Sequence, residues 1–187
     1  RDGPAGMIIC YHDKGIVRMD TLEAIMTRRS VRVFEPREVS KDLLLKLVAA
    51  GMQAPSAGNE QPWQFVICND RSILQRVREF HPYAQMTDTA PAAILVCADM
   101  ALDERKGYWQ QDCAAATQNI LLAAHGLGLG AVWTGMYPRE DRVAGARKLF
   151  GLPESIVPLS LIFVGYPAEH PAPENRFKEE RVHWNHW

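Results

Sequence analysis

A chain of 187 residues, 47% hydrophobic and with a formal net charge of −1, can bury one sizeable core and is too apolar to remain disordered. That balance excludes a broadly basic nucleic-acid or membrane-surface binder, so any anion must be held by local placement of Arg and Lys. No window approaches the ~18 apolar residues that span a bilayer, and the expectation is a cytoplasmic protein with neither membrane nor nucleic acid as partner.

Residues 1–18 carry one apolar run, Met7 to Tyr11, too short and too interrupted for a signal peptide. They are expected to be an N-terminal extension or an appended remnant, with a single domain over 19–187. Asp20 or Thr21 caps a first helix through Thr27, with Leu22, Ile25 and Met26 on one face. Ser40 caps a second, whose Leu43, Leu44, Leu47, Val48 and Ala50 face the core before Gly51. Trp63 to Cys68 reads as a buried strand, and Asp70 caps a helix through Phe80. Pro91 to Ala98 is another buried strand.

A long helix is predicted from about Arg105 to His125. It is apolar on more than one face, which in so small a chain implies a central helix shared with a second subunit. Gly126, Gly128 and Gly130 end it and lead into a strand at Ala131 to Thr134. Another helix spans about Pro138 to Phe150, with Gly151 as its stop. Ile156 to Tyr166 is the last strand, and Pro158 within it predicts an edge or an entry point. The proline-rich tail ends in Trp184 and Trp187, bulky aromatics that need a surface to cover, and the expectation is a surface of a partner subunit. Helices and strands mix without strict alternation, so the fold class is α+β: helices on both sides of a mixed, mostly antiparallel sheet, in three layers.

The Gly-x-Gly-x-Gly run is not a dinucleotide fingerprint. The order here is helix, glycines, strand, the reverse of what that fingerprint requires, and the spacing differs. Cys10, Cys68, Cys97 and Cys113 form no C-x-x-C pair and read as small buried hydrophobes in a reducing setting. His183-x-x-His186 lacks carboxylate or Cys support, so no metal site is assigned.

Three segments carry candidate chemistry. Arg28, Arg29, Ser30 and Arg32 place three guanidinium groups and a hydroxyl just past a helix end, able to hold a phosphate by charged hydrogen bonds. On composition alone they serve equally well to complement the helix dipole. Ala54 to Trp63 is a stiff loop rich in hydrogen-bonding groups, and alone it reads as a turn. Gly130 to Met136 ends a core strand and offers backbone N–H groups, which a simple strand end would also do.

Together these segments resemble the nitroreductase family. The matching elements are Arg28-Arg29-Ser30-Val31-Arg32-x-Phe34, Ala54-Pro55-Ser56-Ala57-Gly58-Asn59-x-Gln61-Pro62-Trp63, Gln118 to Ala124 with Gly126-Leu127-Gly128, Val132-Trp133-Thr134-Gly135, Val164 to Pro167, and a tail with Arg176, Glu179, Glu180, Val182, His183 and Trp184. They run in the family's order over about residues 19–187.

The resemblance implies an intertwined homodimer with FMN in its interface and a C-terminal arm, about 168–187, packed on the partner. Arg28, Arg29 and Ser30 match phosphate and ribityl contacts. Arg32 matches the cation beside N1 and the C2 carbonyl, where it stabilises the negative charge of the reduced ring. Pro55, Ser56 and Asn59 match the loop that arrives from the other subunit. Trp133, Thr134 and Gly135 match the segment beside N5, and Arg176 matches a basic phosphate ligand, a role that Lys178 also fits because the spacing is about one residue short.

The implied activity is ping-pong transfer of hydride from NADH or NADPH, through bound FMN, to a nitroaromatic, quinone or similar acceptor. The chemistry sits on FMN N5, so no catalytic side chain is assigned. The rivals are reductive dehalogenation, flavin breakdown, and FMN storage without turnover.

Overall fold

The computed structural model describes residues 19–187. The expectations for residues 1–18 and for Cys10 fall outside them.

Three helices begin where a short polar side chain replaces missing backbone bonds. Asp20, rather than Thr21, caps α1 (Thr21–Thr27) by accepting from Glu23 N at 3.0 Å. Ser40 accepts from Leu43 N before α2 (Lys41–Gly51), and Asp70 accepts from Ser72 and Ile73 N before α3 (Arg71–Arg76). The remaining elements are β1 (Trp63–Cys68), β2 (Ala92–Asp99), α4 (Trp109–Gly126), β3 (Gly130–Gly135), α5 (Glu140–Phe150) and β4 (Ile156–Gly165).

The four strands form one sheet in the order β1-β2-β4-β3, and every pair is antiparallel. The expected parallel component is reduced to an isolated bridge between Ser30 and Ala131. α2 and α4 cover one face, where Leu44, Leu47 and Ile120 meet Ile94, Val96 and Ile162. α3, α5 and the turn after α3 cover the other, where Leu74, Val77 and Ala146 meet Leu95, Leu161 and Phe163. Two covered faces make three layers, and they explain why β2 is apolar at every position from Ala92 to Ala98.

Four expectations change. The helix after Asp70 stays α-helical only to Arg76 and tightens into a 3₁₀ turn over Val77–Glu79. α4 starts at Trp109, four residues late, because Lys106 (φ 40°) and Gly107 (φ 97°) are left-handed and cannot continue a helix into it. α5 starts at Glu140 rather than near Pro138, following Arg139 in extended conformation. Pro158 lies in an interior strand; there the register slips, with Val96 opposite Ser160 and Cys97 opposite Pro158, and this bulge tolerates the missing N–H.

Among the described residues no helix is long and apolar enough to cross a membrane. Leu22 and Met26 of α1 remain 72% and 60% exposed, and Trp184 and Trp187 are 85% and 101% exposed, so these apolar groups find no cover among the described residues of the chain.

Candidate functional site

α1 ends because Arg28 leaves helical geometry (φ −56°, ψ 130°) and the chain runs on extended. Ser30 then bridges Ala131, and Val31 N donates to Ala131 O at 3.1 Å, which lays the segment along the start of β3. So close an approach needs Gly130: a Cβ there would come within 2.7 Å of the Val31 side chain. The result is a cleft of about 420 Å³ lined by Glu23, Thr27, Arg28, Arg29, His125 and Glu169, among others.

Arg29 holds the tail in place. Its Nε donates to Ala172 O at 3.2 Å and its Nη2 to Glu174 O at 3.0 Å, while Nη1 donates to the Met26 and Arg28 carbonyls. This strap carries Arg176 back to Arg28 from the far end of the sequence. Burial holds the Arg28 guanidinium below its usual range, and the positive charges of Arg176 and Arg29 add to the effect. Among the described residues nothing accepts a hydrogen bond from the Arg28 side chain. Arg176 pairs only with exposed Glu174, at 3.5 Å. A cluster of cations in which the Arg28 side chain is paired to no carboxylate among the described residues fits a phosphate monoester.

β3 is an edge strand. Met136 N donates inward to Leu159 O at 2.9 Å, so the odd-numbered residues point outward by the alternation of an antiparallel ladder. Ala131 O, which meets Val31 N, and Gly135 O behave accordingly. Gly135 O accepts from Arg142 Nη1 at 3.0 Å and from His81 Nε2 at 3.2 Å. The N–H groups of Trp133 and Gly135 therefore lie along the outer edge of the sheet. Thr134 is buried, its Oγ1 donating to Leu161 O at 2.7 Å.

The loop with Pro55, Ser56 and Asn59 lies elsewhere. Gly58, Asn59 and Gln61 all have positive φ (58°, 59° and 51°), a run held by surrounding bonds. Gln61 N donates to Ser56 Oγ at 3.0 Å, Gln61 Nε2 to Asn59 Oδ1 at 3.2 Å, and Ala57 N to Asp112 Oδ1 at 3.0 Å. Asp112 stands in the first turn of α4 and His125 in its last. At ~1.5 Å per residue the loop and the arginine cleft are about 20 Å apart along that helix.

The chain thus brings together Arg28, Arg29, Ser30 and Arg176, with the edge strand of Trp133, Thr134 and Gly135 continuing from the bridge at Ser30. It keeps Pro55, Ser56 and Asn59 away from them. Arg32 is exposed beside a smaller hollow with Val33, Gln85 and Met86; its backbone N donates to Glu169 Oε1 at 2.5 Å. Lys178 is exposed in the tail. Sequence reasoning missed His125 and Glu169, and gave Thr27 no role of its own at the head of the arginine segment; their positions depend on α1 and the tail converging on the end of α4. A larger cavity, about 570 Å³, is lined by Phe34, Arg37, Asn69, Arg71 and Asp88 and includes none of the predicted residues.

A family model described as Nitroreductase family matches residues 25–166. A protein of Methanothermobacter thermautotrophicus, provisionally named NADH dehydrogenase/NAD(P)H nitroreductase, is 51% identical over 180 residues, covering 96% of this chain and 94% of its own. A solved Parabacteroides distasonis structure given the same provisional name superposes with a TM-score of 0.85 at 44% identity, covering 89% of this chain and 98% of its own. A Desulfovibrio desulfuricans protein provisionally named a nitroreductase and solved in complex with FMN superposes with a TM-score of 0.77 at 30% identity, covering 89% of this chain and 96% of its own.

Proposed function

The chain belongs to the nitroreductase family, and on that premise we propose that it is a cytoplasmic, homodimeric, FMN-dependent oxidoreductase of the single domain 19–187. It takes hydride from NADH or NADPH and delivers it to a nitroaromatic, quinone or similar electron-poor acceptor. One observation carries the reading: Arg28 lines the cleft with no carboxylate paired to its side chain among the described residues, and the positive charge of Arg176, distant in sequence, reaches it there.

Bound FMN supplies N5, which accepts hydride and gives it up again. The protein binds and orients. Arg28, Ser30 and Arg176 hold the phosphate, with Lys178 as the alternative tail ligand, and Arg29 fixes the tail that brings Arg176 in. The Arg32 side chain, with no hydrogen bond or ion pair among the described residues, is available to the N1–C2 carbonyl edge. The outward N–H groups of Trp133 and Gly135 serve the N5 edge, with Thr134 anchoring the strand between them. Pro55, Ser56 and Asn59 reach the ring from the other protomer, in accord with their distance from the cleft of their own. The acceptor enters after the oxidised nicotinamide leaves, a ping-pong order.

Reconstitution tests this. The protein is expected to turn yellow with FMN and to bleach when mixed with NADH or NADPH under nitrogen; tight FMN without bleaching would mean a storage protein. Arg28→Ala and Arg32→Ala should each weaken FMN binding roughly tenfold or more, since a hydrogen bond to a charged group contributes ~1.5–3 kcal/mol. Full retention of FMN by both variants refutes the site.

A further inference from the structure

His125 sits in the last turn of α4 and lines the same cleft as Arg28 and Arg29. Its Nε2 lies 2.8 Å from Thr27 Oγ1. That hydroxyl has one proton, and it is directed to the Glu23 carbonyl one turn back, at 2.6 Å. Thr27 Oγ1 must therefore accept and His125 Nε2–H donate, which fixes the neutral ring in one tautomer. The remaining nitrogen, Nδ1, carries a lone pair and has no hydrogen bond among the described residues. A second proton can go only there.

In the protein alone that proton is disfavoured. Burial is the first cause and the Arg28 charge the second; Glu23 opposes them and Arg29 adds to them. Glu169 and His170 of the tail also line the cleft. A phosphate between the arginines reverses the balance, because it offsets their field at the ring and offers acceptor oxygens to Nδ1–H.

We propose that His125 is a further phosphate-binding residue of this cleft, taking a proton from solvent onto Nδ1 as the phosphate monoester of FMN binds. The proposal rests on the FMN reading above and adds a proton-linked ligand to it.

The test is a proton NMR titration of the His125 ring in flavin-stripped protein, alone and with FMN, riboflavin or inorganic phosphate. His125→Gln assigns the resonance, and its amide can still donate to Thr27 Oγ1. FMN is expected to raise the His125 pKa by roughly one unit or more, the effect of an opposite charge within about 4–6 Å. Inorganic phosphate should act in the same direction and riboflavin should not. By calorimetry in two buffers, wild type should take up more protons per FMN than His125→Gln. An unchanged His125 pKa in protein that binds FMN tightly, or equal proton counts, overturns the proposal and leaves the cofactor reading standing. Protein that binds no FMN overturns both.

Discussion

His81 is 2% exposed, and a carbonyl can only accept, so its Nε2 must donate to Gly135 O. Its Nδ1 is buried without a partner. Burial is the larger cause of its lowered pKa, and the neighbouring Arg142 charge is the next. The sign of the consequence follows by linkage. An unfolded chain binds this proton near the ordinary value of 6.5, while the folded protein resists it to lower pH, so between the two values the unfolded state holds more protons. Stability is then complete above that value and falls as pH drops through it; His125, shifted in the same direction, contributes in the same window. Urea midpoints should decrease from about pH 7.5 to about pH 5.5, with a smaller decrease in His81→Gln. Equal slopes would remove His81 from this account. Of the residues that matter here, Arg28 and Arg29 stand out in the sequence because charged clusters after a helix end are visible locally. His81, His125 and Glu169 do not stand out, because their partners are a strand carbonyl, a threonine on another helix and the backbone of an extended segment, all remote in sequence.

Caps and apolar periodicity are local, which is why Asp20, Ser40 and Asp70 mark true helix starts and why β1 and β2 are legible as buried strands. The beginning of α4 is not, because the break at Lys106 and Gly107 is a backbone conformation stabilised by contacts such as Arg105 N to Glu60 Oε1 at 3.0 Å, from another part of the chain. Pro158 misleads for a related reason: a bulge is a property of two strands. Packing also reverses a local preference in α5. Gly145 lies mid-helix, where alanine normally adds about 0.5–1 kcal/mol. Yet a Cβ at Gly145 would sit 2.1 Å from Phe80 Cγ and 2.5 Å from Phe80 Cβ, atoms near the ring's attachment that cannot swing clear. Overpacking of that kind costs about 1–3 kcal/mol and should outweigh the helical gain. Gly145→Ala is therefore expected to lower the urea midpoint; a raised midpoint would show that the packing of Phe80 against α5 yields more easily than these distances allow.

At the scale of the molecule, the two segments assigned to the proposed site do not meet within one chain. The arginine cleft lies at one end of α4 and the strained loop with Pro55, Ser56 and Asn59 at the other, about 20 Å apart at ~1.5 Å per residue. Apolar groups are left uncovered on two separate elements, Leu22, Ile25 and Met26 on α1 and Trp184 and Trp187 at the tail's end. In the proposed homodimer, a second copy related by a two-fold axis would bring the loop of one protomer to the cleft of the other, twice, and would cover apolar surface in the same step. The FMN-bound protein is then expected to scatter light as a particle of twice the 21.0 kDa chain mass. Replacing Trp184 and Trp187 together by alanine should shift the equilibrium toward monomer and lower FMN content in parallel, because the same contacts that hold the copies together complete the site. A stable monomer that retains FMN would show that one protomer suffices, and the loop would then need a role within its own chain.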